Sequence, residues 1–289
     1  MYSPISTFAP YRNSEITRNN PSCFLFLIDQ SSSMALRFGN REEGVTKAVG
    51  VANALNNLLR NLIITCSKSD GIRDYFHVGV VGYGETIASC WTGALTGYEL
   101  VPISDVANHF ARMIETRITE TDMLGNPVSR AVTYPVWVEP QARGSTPMCQ
   151  ALTYIYNILS AWCLRNQTSH PPVVVHITDG EATDGDPARE MAALTTLQTS
   201  NGSLILFNVH LSSNRDAKPT SYPDSPDDLP DDFSRLLYHQ ASFLTPFMRQ
   251  VAWEHGVTVT EEAKAFVLNA DPTQVALALE IGTRPGAVW

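Results

Sequence analysis

Three short strings carry most of the oxygen chemistry in this 289-residue chain. Asp29-Gln30-Ser31-Ser32-Ser33 follows an apolar run, Gly144-Ser145-Thr146-Pro147 opens a helical pattern, and Thr178-Asp179-Gly180 ends a second apolar run. Asp29, Ser31 and Ser33 are spaced by two, and alternate side chains leaving a strand tend to face one side. Brought together, Asp29, Ser31, Ser33, Thr146 and Asp179 would supply two carboxylates and three hydroxyls. That set suits a hard cation. Mg²⁺ takes about six oxygens at roughly 2.0–2.1 Å and usually keeps some waters. Two carboxylates balance its charge, and hydroxyls add oxygens without adding more. With no His or Cys in these strings, zinc and copper are disfavoured. Taken singly, each string has a plainer reading: a serine-rich loop, a helix cap and a strand-ending turn. Their order, each at the end of an element, favours the metal.

Positioning five such residues requires strands and helices in alternation. Cys23 to Ile28 is a continuous apolar run ending at Asp29, as expected of a strand buried on both faces. Phe76 to Val81, Val173 to Ile177, Leu204 to Leu211 and a weaker Ala265 to Leu268 follow the same logic. Between them, Val45, Ala48, Ala52, Leu55, Leu59 and Leu62 form one helical stripe within Glu42 to Ser67. Met148 to Leu164 is a second helix, and Asp186-Pro187 opens a third, to about Leu197. Phe243 to Glu254 and Asp271-Pro272 to Ile281 are two more. This alternation predicts a doubly wound, mainly parallel α/β sheet with helices on both faces. Ligands of such sheets collect at the carboxyl ends of the strands, where all three strings would lie.

Residues 91–143 break the rhythm. They hold a helical pattern near Val106 to Met113 and a hairpin, Ile118 to Trp137, turning at Leu124-Gly125-Asn126-Pro127. We read them as an edge elaboration that would include an antiparallel strand. Residues 212–232, rich in Pro, Asp and Ser, read as a long exposed loop. The domain spans 22–282, with an arm at 1–21 and a tail at 283–289.

DxSxS after the first strand, a threonine before a central helix, and TDG after a later core strand resemble the metal-ion-dependent adhesion site (MIDAS) of von Willebrand factor type A (VWA) domains. By residue match, Asp29, Ser31, Ser33, Thr146 and Asp179 fill all five positions. The longer strings Phe26 to Met34, Val136 to Pro140, Gly144 to Met148 and Thr178 to Gly185 are similar to intracellular bacterial members. The resemblance implies a Rossmann-like VWA fold and a non-enzymatic adaptor that holds Mg²⁺, with Mn²⁺ or Ca²⁺ as substitutes. A Glu or Asp of a partner protein would fill the open coordination position. It also implies a partner such as an ATPase, kinase, phosphatase or protease of a bacterial stress, defence or assembly system. Two alternatives stay open: a hydrolase using the ion to activate water, and a scaffold with a purely structural metal.

Other chemistries fit less well. A haloacid-dehalogenase-type phosphatase needs an acid two residues after Asp29, where Ser31 stands. No GxSxG elbow and no GxxxxGK[ST] loop occurs. Gly79 to Gly84 does not match GxGxxG and reads as close strand packing. His176 lies in a strand and reads as a core imidazole; Asp184 and Asp186 read as turn and cap residues, or else as an acidic rim.

A formal net charge of −9 argues against nucleic acid or an anionic membrane as the partner. The five cysteines form no CxxC pair and suit a reducing compartment. No apolar h-region follows Met1 and no apolar stretch reaches membrane-spanning length, so the expected location is the cytoplasm.

Overall fold

A computed structural model of the chain describes residues 16–38, 44–121, 127–211 and 217–284. The expected helix start at Glu42, the hairpin turn at 124–126, most of the arm, most of the tail and the first part of the 212–232 loop lie outside those residues. Five parallel strands form the centre: β1 (Ser22–Asp29), β2 (Phe76–Tyr83), then, after β3 (Ile87–Ser89), β4 (Val101–Pro102), β5 (Arg112–Thr121) and β6 (Pro127–Val136), β7 (Val173–Thr178), β8 (Ile205–His210) and, beyond β9 (Thr220–Ser221), β10 (Phe266–Leu268). The sheet runs β9-β10-β8-β7-β1-β2-β3, with β4 also on β2; β3, β4 and β9 are antiparallel to their neighbours. The chain is therefore a doubly wound α/β domain of mainly parallel strands.

Its helices are α1 (Lys47–Cys66), α2 (Ile103–Asn108), α3 (Met148–Arg165), α4 (Ala188–Thr196), α5 (Asp232–Gln240), α6 (Pro246–Glu254) and α7 (Pro272–Gly282). Why β1 is apolar throughout is visible in its two faces. Phe24, Phe26 and Ile28 share a core with α1, α2, α6 and α7. Cys23, Leu25 and Leu27 share the opposite core with α3, α4 and α5. With both faces covered, the strand is apolar from Cys23 to Ile28, between the buried Ser22 that opens it and Asp29 at its end.

Several boundaries differ from expectation. Thr46 caps α1 by accepting from the Val49 N–H, so Val45 precedes the helix and is exposed. Thr245 caps α6 and Pro246 takes its first turn, which leaves Phe243 outside. The helix near Val106 begins at Ile103, and the hairpin arms run earlier, from Arg112. That hairpin is a separate two-stranded ribbon. At its base, Asn56 of α1 bonds the Trp137 and Val138 N–H groups and the Val138 carbonyl. The stretch read as an exposed loop buries Ala217, Tyr222 and Leu229 and contributes edge strand β9. Helix α5, with its Asp231/Ser234 capping box, was not anticipated from sequence.

Candidate metal centre

Strand order places the candidate residues. Along the sheet, β1 sits between β2 and β7, so the chain leaves β1 in one direction and later returns on the other side. This is a topological switch point, where the loops beyond the carboxyl ends diverge and leave a crevice. Asp29 is the last residue of β1, and Asp179 directly follows β7.

The loop after β1 turns into a short 3₁₀ segment, Ser32–Ala35, anchored by buried Met34. Its Ser31 N–H donates to Asp29 Oδ1 at 2.8 Å. Thr178 Oγ1 donates to the other oxygen, Asp29 Oδ2, also at 2.8 Å. The carboxylate is thus held from both sides. Ser31 Oγ and Ser33 Oγ lie 2.9 Å apart, and Ser33 Oγ donates to Asp179 Oδ1 at 2.6 Å. Four of the five expected residues therefore meet through hydrogen bonds, although 146 positions separate Ser33 from Asp179.

Thr146 arrives by backbone stitching. The Ser32 N–H and Oγ both donate to the Gly144 carbonyl, at 3.1 and 3.0 Å. Arg143 N–H donates to the Gln30 carbonyl, and Glu85 N–H to the Arg143 carbonyl. The Thr146 carbonyl accepts from Thr183 N–H, and the Thr146 N–H donates to Thr183 Oγ1. These bonds bring the 143–147 segment against both the β1 and β7 loops. Gly144 has φ +90°, and a Cβ there would overlap the Glu85 backbone, so glycine is required for this approach. The Thr146 side chain is buried and has no hydrogen bond among the described residues, which leaves its hydroxyl uncommitted.

Sequence reasoning missed Lys47. It is the first residue of α1, and its N–H donates to the Leu36 carbonyl, which docks the helix start beneath the loop. Lys47 Nζ donates to Asp179 Oδ2 at 3.0 Å, with the two side chains 2% and 0% exposed. One oxygen of Asp179 thus faces Ser33 and the other is paired with a buried ammonium. Nothing local to Lys47 signalled this, because an amphipathic helix ordinarily keeps a lysine head in water.

Burial pushes the Asp29 carboxyl up to about 6, the Ser31 hydrogen bonds oppose this, and the Asp179 charge adds to it. Beneath the centre, Tyr83 Oη bonds His176 Nε2 at 2.8 Å, His176 Nδ1 lies 3.2 Å from Asn208 Oδ1, and Asn208 Nδ2 donates to the Leu237 carbonyl. Burial lowers His176 to about 4, so it is a neutral core imidazole, as its strand position suggested. His210, at the end of β8, is also lowered to about 4 by burial, and its Nδ1 has no partner among the described residues. Asp184 accepts from the Cys149 and Gln150 N–H groups at the start of α3, and Asp186 from Ala188 N–H. Both acids thus hold backbone N–H groups at helix starts.

One spacing in the donor set is compatible with Mg²⁺ as well as with the hydrogen bond made there. Ligands on adjacent corners of an octahedron at roughly 2.0–2.1 Å lie about 2.9 Å from each other. That is the spacing of the Ser31 and Ser33 hydroxyls. Among the described residues no group of three or more His, Cys, Asp or Glu side chains could hold a metal. The centre has only two acids and depends on hydroxyls for the rest.

No protein-family model matches the chain, and no curated protein matches it. Among solved structures, it is similar to a von Willebrand factor type A protein from Catenulispora acidiphila at 14% identity and TM-score 0.45, covering 92% of this chain and 43% of that one. It is also similar to the PilB minor pilin from Streptococcus sanguinis, at 11% identity and TM-score 0.44, over 91% of this chain and 60% of that one. The vWF domain of the type V pili tip protein Mfa5 from Porphyromonas gingivalis matches at 12% identity and TM-score 0.32, over 56% of this chain and 39% of that one. The chain thus spans less than two thirds of the length of each. With similarity this distant, the order and direction of the strands are themselves the ground for the α/β fold.

Proposed function

We propose that this chain is a metal-dependent protein-binding module rather than an enzyme. In this reading Asp29, Ser31, Ser33, Thr146 and Asp179 hold Mg²⁺, or Mn²⁺ or Ca²⁺ in its place. The observation that carries it is the unbroken row of oxygens from Ser31 through Ser33 to Asp179, beside Asp29 at the switch point. When bound, the ion supplies an electrophilic coordination position that a Glu or Asp of a partner protein would fill.

The protein's own part is preorganisation. Ser31 N–H and Thr178 Oγ1 fix the orientation of Asp29, so the carboxylate does not have to be gathered from solvent. The Ser31 and Ser33 hydroxyls, which here bond each other and Asp179, would hold the ion through their lone pairs. Among the bases that hydrolysis could use, His176 beneath the centre is not available. Its ring is tied to Tyr83 and Asn208 and buried, so it cannot take a proton from a water at the mouth. The partner would be a protein of the same assembly, stress or defence system, such as an ATPase, kinase, phosphatase or protease.

Calorimetry tests the ion first. Wild type should bind one Mn²⁺ or Mg²⁺, and Asp29→Ala should not, with unchanged circular dichroism. A partner found with Mg²⁺ should then be released by EDTA. Absence of ion binding by wild type at millimolar Mn²⁺ would sink the reading.

A further inference from the structure

We propose that Lys47 is a fixed third charge in the metal centre, which pairs with Asp179 and weakens the centre's affinity for a dication. The inference rests on the metal-binding reading above and concerns what sets that affinity. Lys47 Nζ is 3.0 Å from Asp179 Oδ2, while Asp179 Oδ1 accepts from Ser33. A resident ammonium and an incoming ion would therefore share one carboxylate. Neither the lysine nor the aspartate has water to screen it, with exposures of 2% and 0%.

Why a lysine should be there follows from the two acids. Two aspartates beside one another, both buried, repel and lack solvation. Lys47 offsets one of them. The same charge then repels a dication. Even with the dielectric of water, a unit charge and a dication several ångströms apart repel by about tenfold in binding constant, and burial raises that.

The test is Mn²⁺ titration of wild type, Lys47→Gln and Lys47→Arg, by calorimetry and by the Mn²⁺-induced rise in Tm. Glutamine keeps a donor for Asp179 without the charge; arginine keeps the charge. K47Q should bind Mn²⁺ about tenfold more tightly than wild type, with a larger rise in Tm, and K47R should stay near wild type. A K47Q chain that folds only with Mn²⁺ is the extreme form of the expected result. If it folds in neither condition, or binds no more tightly than a wild type that does bind, Lys47 is a structural partner only and the inference falls. Equal tightening in K47Q and K47R also overturns it, since geometry rather than charge would be responsible. If neither wild type nor K47Q binds Mn²⁺, the metal reading itself is withdrawn.

Discussion

Thr178 Oγ1 donates a hydrogen bond to Asp29 Oδ2 at 2.8 Å, across from one central strand to the next. This bond and the Ser31 N–H are what hold the first acid of the centre in place. Thr178→Val keeps the shape of the side chain and removes the donor. A hydrogen bond to a charged group is worth about 1.5–3 kcal/mol, so urea unfolding should show a loss of that order, and Mn²⁺ affinity should fall with it. Unchanged Mn²⁺ binding would mean that Ser31 alone positions Asp29.

Gly144 sits at φ +90° with no room for a Cβ against the Glu85 backbone. Gly144→Ala combines the left-handed penalty with a displacement of the loop that carries Thr146. The expected cost is about 2 kcal/mol or more, with weaker Mn²⁺ binding. A melt and a titration on the same sample read both effects.

Asp184 is the control acid. It accepts two N–H groups at the start of α3. Loss of a helix cap costs about 0.5–2 kcal/mol, so Asp184→Ala should lower Tm while leaving Mn²⁺ affinity within about twofold. A large fall in affinity with Tm intact would instead place Asp184 in the centre.

Two buried histidines should make the fold acid-sensitive. His176 and His210 are both held at about 4 by burial, against about 6.5 in the unfolded chain. Between these values the unfolded state takes up the protons, so stability is complete above about pH 6.5 and is lost as pH falls toward 4. The loss is on the order of 3 kcal/mol per histidine. Asp29, raised to about 6, works in the opposite sense: its folded form takes the proton first, which stabilises the fold as pH falls through that range. The histidine contribution is therefore read as the difference in pH slope between wild type and H176N or H210N, measured by denaturant unfolding. Identical slopes would show that neither imidazole is held neutral by the fold.

Much of this architecture is written locally. The apolar run of β1 ends at Asp29 because both faces of that strand are covered until its last residue. Asp271-Pro272 announced α7 because cap and first-turn proline lie next to each other in the chain. Helix α5 gave no such notice: its Asp231/Ser234 box lacks the usual Glu or Gln. The role of Asp184 was ambiguous for a different reason, since the N–H groups it caps are 34 and 35 positions away.

From the sequence alone came the layers, the order of elements and the oxygen-bearing residues at their ends, because periodicity and capping are properties of neighbouring residues. The tertiary structure alone decided that Ser31, Ser33 and Asp179 form one row. It alone set Lys47 against Asp179 across 132 positions and committed Asp184 to a helix end. Those pairings depend on strand order and on where each helix docks. Both are settled by burying the two faces of the sheet at once, and no short window of residues records that outcome.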